Sequence, residues 1–186
     1  GLWAQITDGC ELPGGMLYLS DDNDSSVLYN SPEHCAFCTD SVYTNNNNNY
    51  LDQWDFCEDY SFDGMWVFDY EMTVEECAAV PSQNGGGGWW FDGIIAGFQF
   101  IVSGDSTTSY TLTGASGGDS QTMTMVNFNA ETNIVLGAFL FGGSIPAGCG
   151  TLINLSYEGE AAGLSDIVVS DTNAESIYFE YYIGSD

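Results

Sequence analysis

The chain contains no lysine and no arginine, so none of its 186 residues carries a permanent side-chain cation. Against this absence stand 27 aspartate and glutamate residues and one histidine, which give a formal charge of −27 at pH 7. Such a surface cannot bind phosphate through basic side chains, and its negative field repels nucleic acids and anionic lipids. We therefore predict neither nucleic-acid nor membrane partners, and we expect salt, divalent ions, partner subunits or low pH to relieve the self-repulsion.

Long apolar runs are also absent, because no run approaches the roughly 20 residues that span a bilayer. The sequence has no charged-then-apolar leader at its start, so we expect any signal peptide to have been removed. A hydrophobic fraction of 44% and an aromatic fraction of 15% are enough to bury a core. The 23 glycines, with many Ser, Thr and Asn residues, favour turn-rich β structure.

Short apolar or alternating segments separated by turn signals predict the strands. They lie at 94–102, 110–113, 122–126, 133–141, 151–157, 164–169 and 176–183, the last with Ile177, Phe179, Tyr181 and Ile183 on one face. This spacing predicts an all-β fold, an antiparallel, jelly-roll-like β-sandwich.

One short helix is predicted in the first half of the chain. Thr73 and Glu76 fit a capping box, the apolar run continues to Val80, and Pro81 ends it. Residues 83–88 form a glycine-rich linker, and the asparagine run at 45–49 is predicted to be an exposed loop tip.

Six cysteines, an even number, predict disulfide bonds and an oxidising compartment. The CxxC pair Cys35 and Cys38 beside His34 also admits a zinc site, with Cys57 and Cys77 as further ligands. We favour disulfides because the cysteine count is even and the chain has the character of a secreted protein, and because a second CxxC or an HxxxH partner is missing.

Several segments together resemble the cohesin-type sandwich module of large secreted microbial surface proteins. They are IAGFQF at 95–100, TGASGG at 113–118, VLG at 135–137, SIPAGCGTL at 144–152 and GLSDIVVSD at 163–171, with 8–13 and 26–31 similar to opening strands. The resemblance implies a module at 8–31 and 89–186, interrupted by a cysteine-rich acidic insertion at 32–88 and preceded by an extension at 1–7. Members of that family are adhesive or structural, so it implies no catalytic residues.

Within that module, Cys10 lies at the start and Cys149 in a late turn, so we predict that they form a disulfide. The other four cysteines would then pair inside the insertion. Cys35 with Cys77 and Cys38 with Cys57 is one of three possible pairings.

Catalytic motifs are not recognisable, and we predict that the chain is not an enzyme. His34 is the only histidine base, and we interpret it as an exposed loop residue because nothing nearby would orient it in a triad. A hydrolase with a catalytic carboxylate pair stays open as a weaker alternative. With 27 acids in the chain, the sequence cannot distinguish such a pair from the other carboxylates.

Oxygen-rich residues at 21–25 offer ligands for calcium but lack the glycine and the final glutamate of an EF-hand. A solvated turn is the favoured interpretation, so we predict no cofactor and keep calcium as the alternative. Asn23 and Asn154 lie in N-glycosylation sequons. Asn154 and Ser156 should face outward if Ile153, Leu155 and Tyr157 face the core.

Four tryptophans are interpreted as core packing or subunit contacts, with stacking on carbohydrate as the alternative. They are Trp54, Trp66, Trp89 and Trp90.

Together these features predict a secreted, glycosylated structural subunit of an extracellular filament or surface layer. In residues 1–7, Leu2, Ala4 and Ile6 alternate as in a strand that completes the sheet of the next copy, with Trp3 packing outward against the neighbour. The chain would thus form a homopolymer at the cell surface. The alternative is a monomeric adhesin or carbohydrate-binding module.

Overall fold

The structure is a computed structural model that describes residues 5–20, 25–44, 50–61, 63–83, 85–104 and 109–184. The chain forms two compact units. Gly1–Pro32 and Ile94–Asp186 form the first, and Glu33–Gly93 forms the second. We call them the sandwich unit and the insertion unit. The predicted fold class is confirmed, since antiparallel sheets dominate and the cysteine-rich segment interrupts the sandwich.

Two five-stranded sheets build the sandwich unit. The first sheet has the order β13-β1-β2-β10-β7, and its strands are β1 (Met16–Ser20), β2 (Ser26–Ser31), β7 (Thr111–Ser116), β10 (Gly148–Glu158) and β13 (Glu180–Tyr181). The second has the order β12-β11-β6-β9-β8, with β6 (Gly97–Gly104), β8 (Met125–Asn129), β9 (Ile134–Ala138), β11 (Ala161–Ser170) and β12 (Ser176–Ile177). Their pairings are antiparallel except that of β13, which runs parallel to β1.

The core of the sandwich unit follows the period-two alternation of its strands. Along β6, Phe98, Phe100 and Val102 are buried, and the rings of the two phenylalanines stack with centroids 5.6 Å apart. Buried leucine, valine and isoleucine side chains of the first sheet complete this core, among them Leu17, Leu19, Val27, Leu112, Leu152 and Ile153. Apolar burial of this kind is the main stabilising contribution to the unit.

Three predicted strands differ in the structure. Residues 8–13 contain a 3-10 helix, Gly9–Glu11, because the Asp8 carboxylate accepts the Cys10 backbone N–H 2.9 Å away and so starts a turn. A second 3-10 helix, Gly118–Thr122, delays β8 to Met125. The segment 176–183 forms two strands in different sheets, so Ile177 and Phe179 are buried whereas Ile183 is 90% exposed.

The insertion unit contains a three-stranded sheet of order β4-β3-β5, formed by β3 (His34–Cys38), β4 (Trp66–Asp69) and β5 (Trp89–Phe91). β5 pairs with β3, and both strands belong to the insertion unit. The predicted short helix is present as α2 (Val74–Ala78), and its capping box joins Thr73 and Glu76 as expected. A longer helix, α1 (Tyr50–Tyr60), was not predicted.

Candidate functional site

All six cysteines form disulfide bonds, which indicates an oxidising compartment. Cys10 is joined to Cys149, and the insertion unit uses the pairs Cys35 with Cys77 and Cys38 with Cys57. Cys149 lies in β10 rather than in a turn, so the first bond ties a 3-10 helix to a strand. Zinc binding by these sulfurs is excluded, because disulfide sulfurs do not ligate zinc as thiolates do.

His34 was predicted to be an exposed loop residue, and this prediction is wrong. It lies in β3, is 4% exposed, and its ring stacks on Phe91 at 4.8 Å with an interplanar angle of 13°. The rings of Tyr70 and Phe68 lie 4.8 and 6.0 Å away. The imidazole ring of His34 therefore packs among aromatic side chains. The local sequence Pro-Glu-His-Cys gives no sign of this burial.

The tryptophans of the insertion unit continue this aromatic packing. Trp54 of α1 stacks on Trp66 of β4 at 6.4 Å and meets Phe68 edge-on at 5.3 Å. Trp89 lies 6.5 Å from Phe91. The contacts of Trp54 join α1 to the sheet, and packing explains these ring contacts without a ligand.

Metal sites are not visible in the described part of the chain, where no group of three His, Cys, Asp or Glu residues could hold an ion. The calcium prediction rests on residues 21–25, of which 21–24 lie outside the described residues, as does Asn23 with its sequon.

Asn154 lies in β10, half-exposed between buried Ile153 and Leu155, and its side-chain oxygen accepts a hydrogen bond from the Ser26 hydroxyl at 2.7 Å. Ser156 is exposed, but Tyr157 is half-exposed rather than buried. A register shift between Ser156 and Tyr157 interrupts the alternation there and accounts for this difference.

The edge of the first sheet at β13 is short. β13 pairs with only two residues of β1, Met16 and Leu17, although β1 has five. Backbone bonds from Glu180 to Gly15 (3.0 Å) and from Tyr182 to Leu17 (2.8 Å) hold it in place. Beyond these two residues, β13 does not pair with β1. An edge of this kind is a template for a further strand.

A groove of about 560 Å³ runs beside this edge, between β1, β11 and the C-terminal segment. We call it the edge groove; its lining includes Met16, Leu164, Asp166, Phe179, Glu180 and Tyr181. A β-bulge between Ser165 and Val168 shapes one wall and puts Asp166 in a left-handed conformation, with φ of 48°. The groove therefore combines apolar side chains with two carboxylates at its border.

Of the predicted assembly residues, Leu2, Trp3 and Ala4 lie outside the described residues. Ile6 is described and is half-exposed. The alternation in this segment predicts a donor strand, and nothing in the sequence indicates the edge groove.

A second polar contact lies near the Cys10–Cys149 bond. Tyr29, which is 2% exposed, donates its hydroxyl to the Asp119 carboxylate at 2.6 Å. Burial, and then the hydrogen bond and negative charge of Asp119, raise the pKa of Tyr29 above its usual 10. The contact anchors the 3-10 helix Gly118–Thr122 against β2.

Replacing Tyr29 with phenylalanine is expected to lower the free energy of unfolding at pH 7 by about 1–3 kcal/mol, since a buried hydrogen bond to a carboxylate is lost. Because the folded pKa of Tyr29 is raised, its contribution is complete below pH 10 and is lost as the pH rises above 10. Denaturant unfolding of wild type and Y29F at pH 7 and pH 11 measures both effects. Tyr157→Phe, at a half-exposed ring, is the matched control. A deficit of Y29F that stays the same at both pH values would contradict the assignment.

Neither helix within the described ranges has the length and apolar character needed to cross a membrane. Comparison of the chain with protein-family models, with curated proteins and with solved structures gave no match, so the cohesin resemblance stays a prediction.

Proposed function

We propose that this chain is a structural subunit of an extracellular filament or surface layer, and that copies join by strand addition at the edge groove. The observation that carries the proposal is the short edge strand β13 with the edge groove beside it. A strand from another copy would extend the first sheet here by backbone hydrogen bonds.

Residues 1–7 of a neighbouring copy are the proposed donor. The segment GLWAQIT contains no acid, so it can approach Asp166 and Glu180 without like-charge repulsion. Its alternation would turn Leu2, Ala4 and Ile6 toward Leu164 and Phe179, both largely buried in the groove wall. Head-to-tail contacts of this kind generate open chains unless the rotation closes a ring.

Charge supports backbone pairing over side-chain ion pairs. With 27 acids and no lysine or arginine, two copies cannot form salt bridges through basic side chains. Backbone N–H and C=O groups pair without net charge, and strand addition therefore suits such a surface. Three disulfides fit a protein that works outside the reducing cytosol, and N-linked glycans at Asn23 and Asn154 belong to the same proposal.

Changing Ile6 to aspartate is expected to abolish filament formation, because it would direct a charge into an apolar groove already bordered by two carboxylates. Gln5→Glu is the matched control: it adds the same charge on the same segment but at the outward-facing position, so assembly should persist. Negative-stain images and sedimentation of the variants measure the outcome. A synthetic peptide of residues 1–7 should also compete for the groove and shorten filaments.

Two results would count against these ideas separately. Filaments of I6D that match wild type would exclude strand addition by this segment. Native material that sediments only as monomers, at every salt concentration, would exclude the structural-subunit function itself.

The alternative function, a carbohydrate-binding adhesin, is favoured by one observation in the same place. Tyr181 and Phe179 line the edge groove beside Asp166 and Glu180, and Tyr18 stacks on Tyr181 at 6.2 Å. Aromatic rings that stack on sugar faces, next to carboxylates that accept hydroxyl hydrogens, are typical of sugar sites. Glycan-array binding by I6D, lost on Tyr181→Ala, would support this alternative.

A further inference from the structure

The outward side of the second sheet carries apolar side chains and uncharged polar side chains. Opposite the buried Phe98 and Phe100, β6 turns Gln99 and Ile101 outward, and β9 turns Leu136 and Ala138 the same way. Met125 of β8 and Val168 of β11 lie in the same cross-strand rows. We call these six residues the outer face. Val168 is 48% exposed and Gln99 is exposed, so the face is open to solvent.

Carboxylates are excluded from this face. β6, β8 and β9 contain no aspartate or glutamate, and the one acid of β11, Asp166, lies in the bulge and lines the edge groove. The sequence from 132 to 157, which includes β9 and most of β10, is also free of acids. A chain with 27 acids thus leaves one sheet face without charge.

A shallow groove of about 250 Å³ crosses the outer face. Its floor is a row of small residues, since Gly97 pairs with Ala138 on one side and Ser170 on the other. The next row, Val168, Gln99 and Leu136, forms a taller wall. The volume of this groove is large enough for one bulky apolar side chain.

An exposed apolar loop follows β9 at the same end of the sheet. Phe141 is 88% exposed and Leu140 is 56% exposed, and no acid neighbours them in sequence. The loop is tied to the sheet by the Phe139 backbone N–H, which donates to the Ala96 carbonyl at 3.1 Å. Phe141 is therefore an apolar projection held next to the Gly97–Ala138 row.

We propose that the outer face is a lateral contact between two copies of this chain, packed face to face, with Phe141 of each copy seated in the groove of the other. This contact goes beyond strand addition and does not depend on it. A cationic partner would gain most on the acidic surfaces, whereas a second copy, which has no lysine or arginine, can pack face to face with least repulsion where carboxylates are absent. One uncharged face is sufficient if it meets itself, as in the two-fold contacts of most homo-oligomers.

β8 forms the edge of the second sheet, and a hydrogen bond within this strand favours contact through the face of the sheet over contact through its edge. The Asn127 side-chain oxygen accepts the Phe128 backbone N–H at 2.8 Å. This N–H is thereby occupied within its own strand, which disfavours pairing of β8 with another strand. Face-to-face packing needs no free backbone groups.

The test uses the full-length I6D chain, in which strand addition is blocked, and measures its sedimentation equilibrium over a wide concentration range. We expect a monomer–dimer equilibrium that tightens as salt is added, because screening weakens repulsion between the remaining acids. Gln99→Glu adds one charge at nearly constant shape on the face, and Phe141→Ser removes the projection. Each should weaken the dimer by at least about tenfold, since each change is made twice in a symmetric contact.

Gln121→Glu is the matched control, because Gln121 is exposed on the 3-10 helix that contacts β10 of the first sheet. Its dimer should match that of I6D alone. Equal weakening by Q99E and Q121E would show a general charge effect and overturn the proposal, as would an I6D chain that stays monomeric at the highest soluble concentration. Co-sedimentation of monomeric I6D with phosphatidylcholine vesicles, lost with F141S, would assign the loop to a membrane instead and would also overturn it. None of these results depends on whether the wild type forms filaments.

Discussion

Replacing Cys10 and Cys149 together with serine is expected to lower the free energy of unfolding of the sandwich unit by about 5 kcal/mol. The two cysteines are 139 residues apart in sequence, so the bond removes a large amount of chain entropy from the unfolded state. The same change at Cys38 and Cys57, which are 19 residues apart, should cost about 3 kcal/mol in the same model. Denaturant unfolding of both double variants measures the two losses of stability. A larger loss for the Cys10–Cys149 pair would show that the effect depends on the length of the closed loop and not on the removal of two cysteines as such.

Accessibility should make the Cys10–Cys149 bond the first to be reduced. Cys10 is exposed, whereas the four cysteines of the insertion unit are buried. Mild reduction followed by alkylation and peptide mapping is expected to label Cys10 and Cys149 first. Mapping must use a protease that cuts at acidic or aromatic residues, since no lysine or arginine is present. A free Cys10 in unreduced protein, or a double serine variant as stable as wild type, would contradict the prediction.

Salt is expected to raise the melting temperature strongly. Repulsion among 27 carboxylates has no internal cationic compensation, and it acts over a Debye length that falls from about 30 Å at 0.01 M to about 3 Å at 1 M salt. Every 1 kcal/mol of relieved repulsion should raise the melting temperature by about 2–4 °C for a chain of this size.

Calorimetry in sodium chloride from low to high concentration measures this effect. Most of the rise should occur below about 0.2 M, where the Debye length changes most in absolute terms. Magnesium chloride at matched ionic strength should act at least as strongly, because divalent ions associate with carboxylates. A melting temperature that does not change with salt would mean that the acids lie too far apart to repel.

Local sequence patterns predicted much of the sandwich. The alternation around Ile153 and Leu155, the apolar run that contains Phe98 and Phe100, and the capping box at Thr73 each depend on neighbours within a few residues. Local patterns of this kind predict a strand correctly wherever the tertiary structure buries one of its faces. The fold class follows from them because short strands with frequent turns have few other stable arrangements.

Features that depend on distant partners were missed. His34 is buried because Phe91 and Tyr70, far away in sequence, surround it. The helix α1 contains four acids and follows an asparagine run, so its apolar periodicity is weak; Trp54 packs it on β4. Tertiary contacts override local propensity at both places.

The candidate site was only half predictable for the same reason. The alternation in residues 1–7 is a local pattern. The edge groove, in contrast, forms where β1, the Asp166 bulge and Phe179 come together from three parts of the chain. Bulges and the exchange of the C-terminal segment between sheets have no clear local signal, and the outer face becomes visible only when the strand register is known.

The Cys10–Cys149 bond has a mechanical consequence for a subunit that is pulled through its first residues. Tension entering at residue 10 passes directly through the sulfur atoms into β10, which is flanked by β2 and β7. The intervening stretch, 139 residues in sequence separation, is a closed covalent loop that holds back roughly 480 Å of extensible chain at about 3.5 Å per residue. The whole insertion unit lies within this loop. It would therefore be shielded from a stretching force that enters at residue 10 and leaves the chain after residue 149.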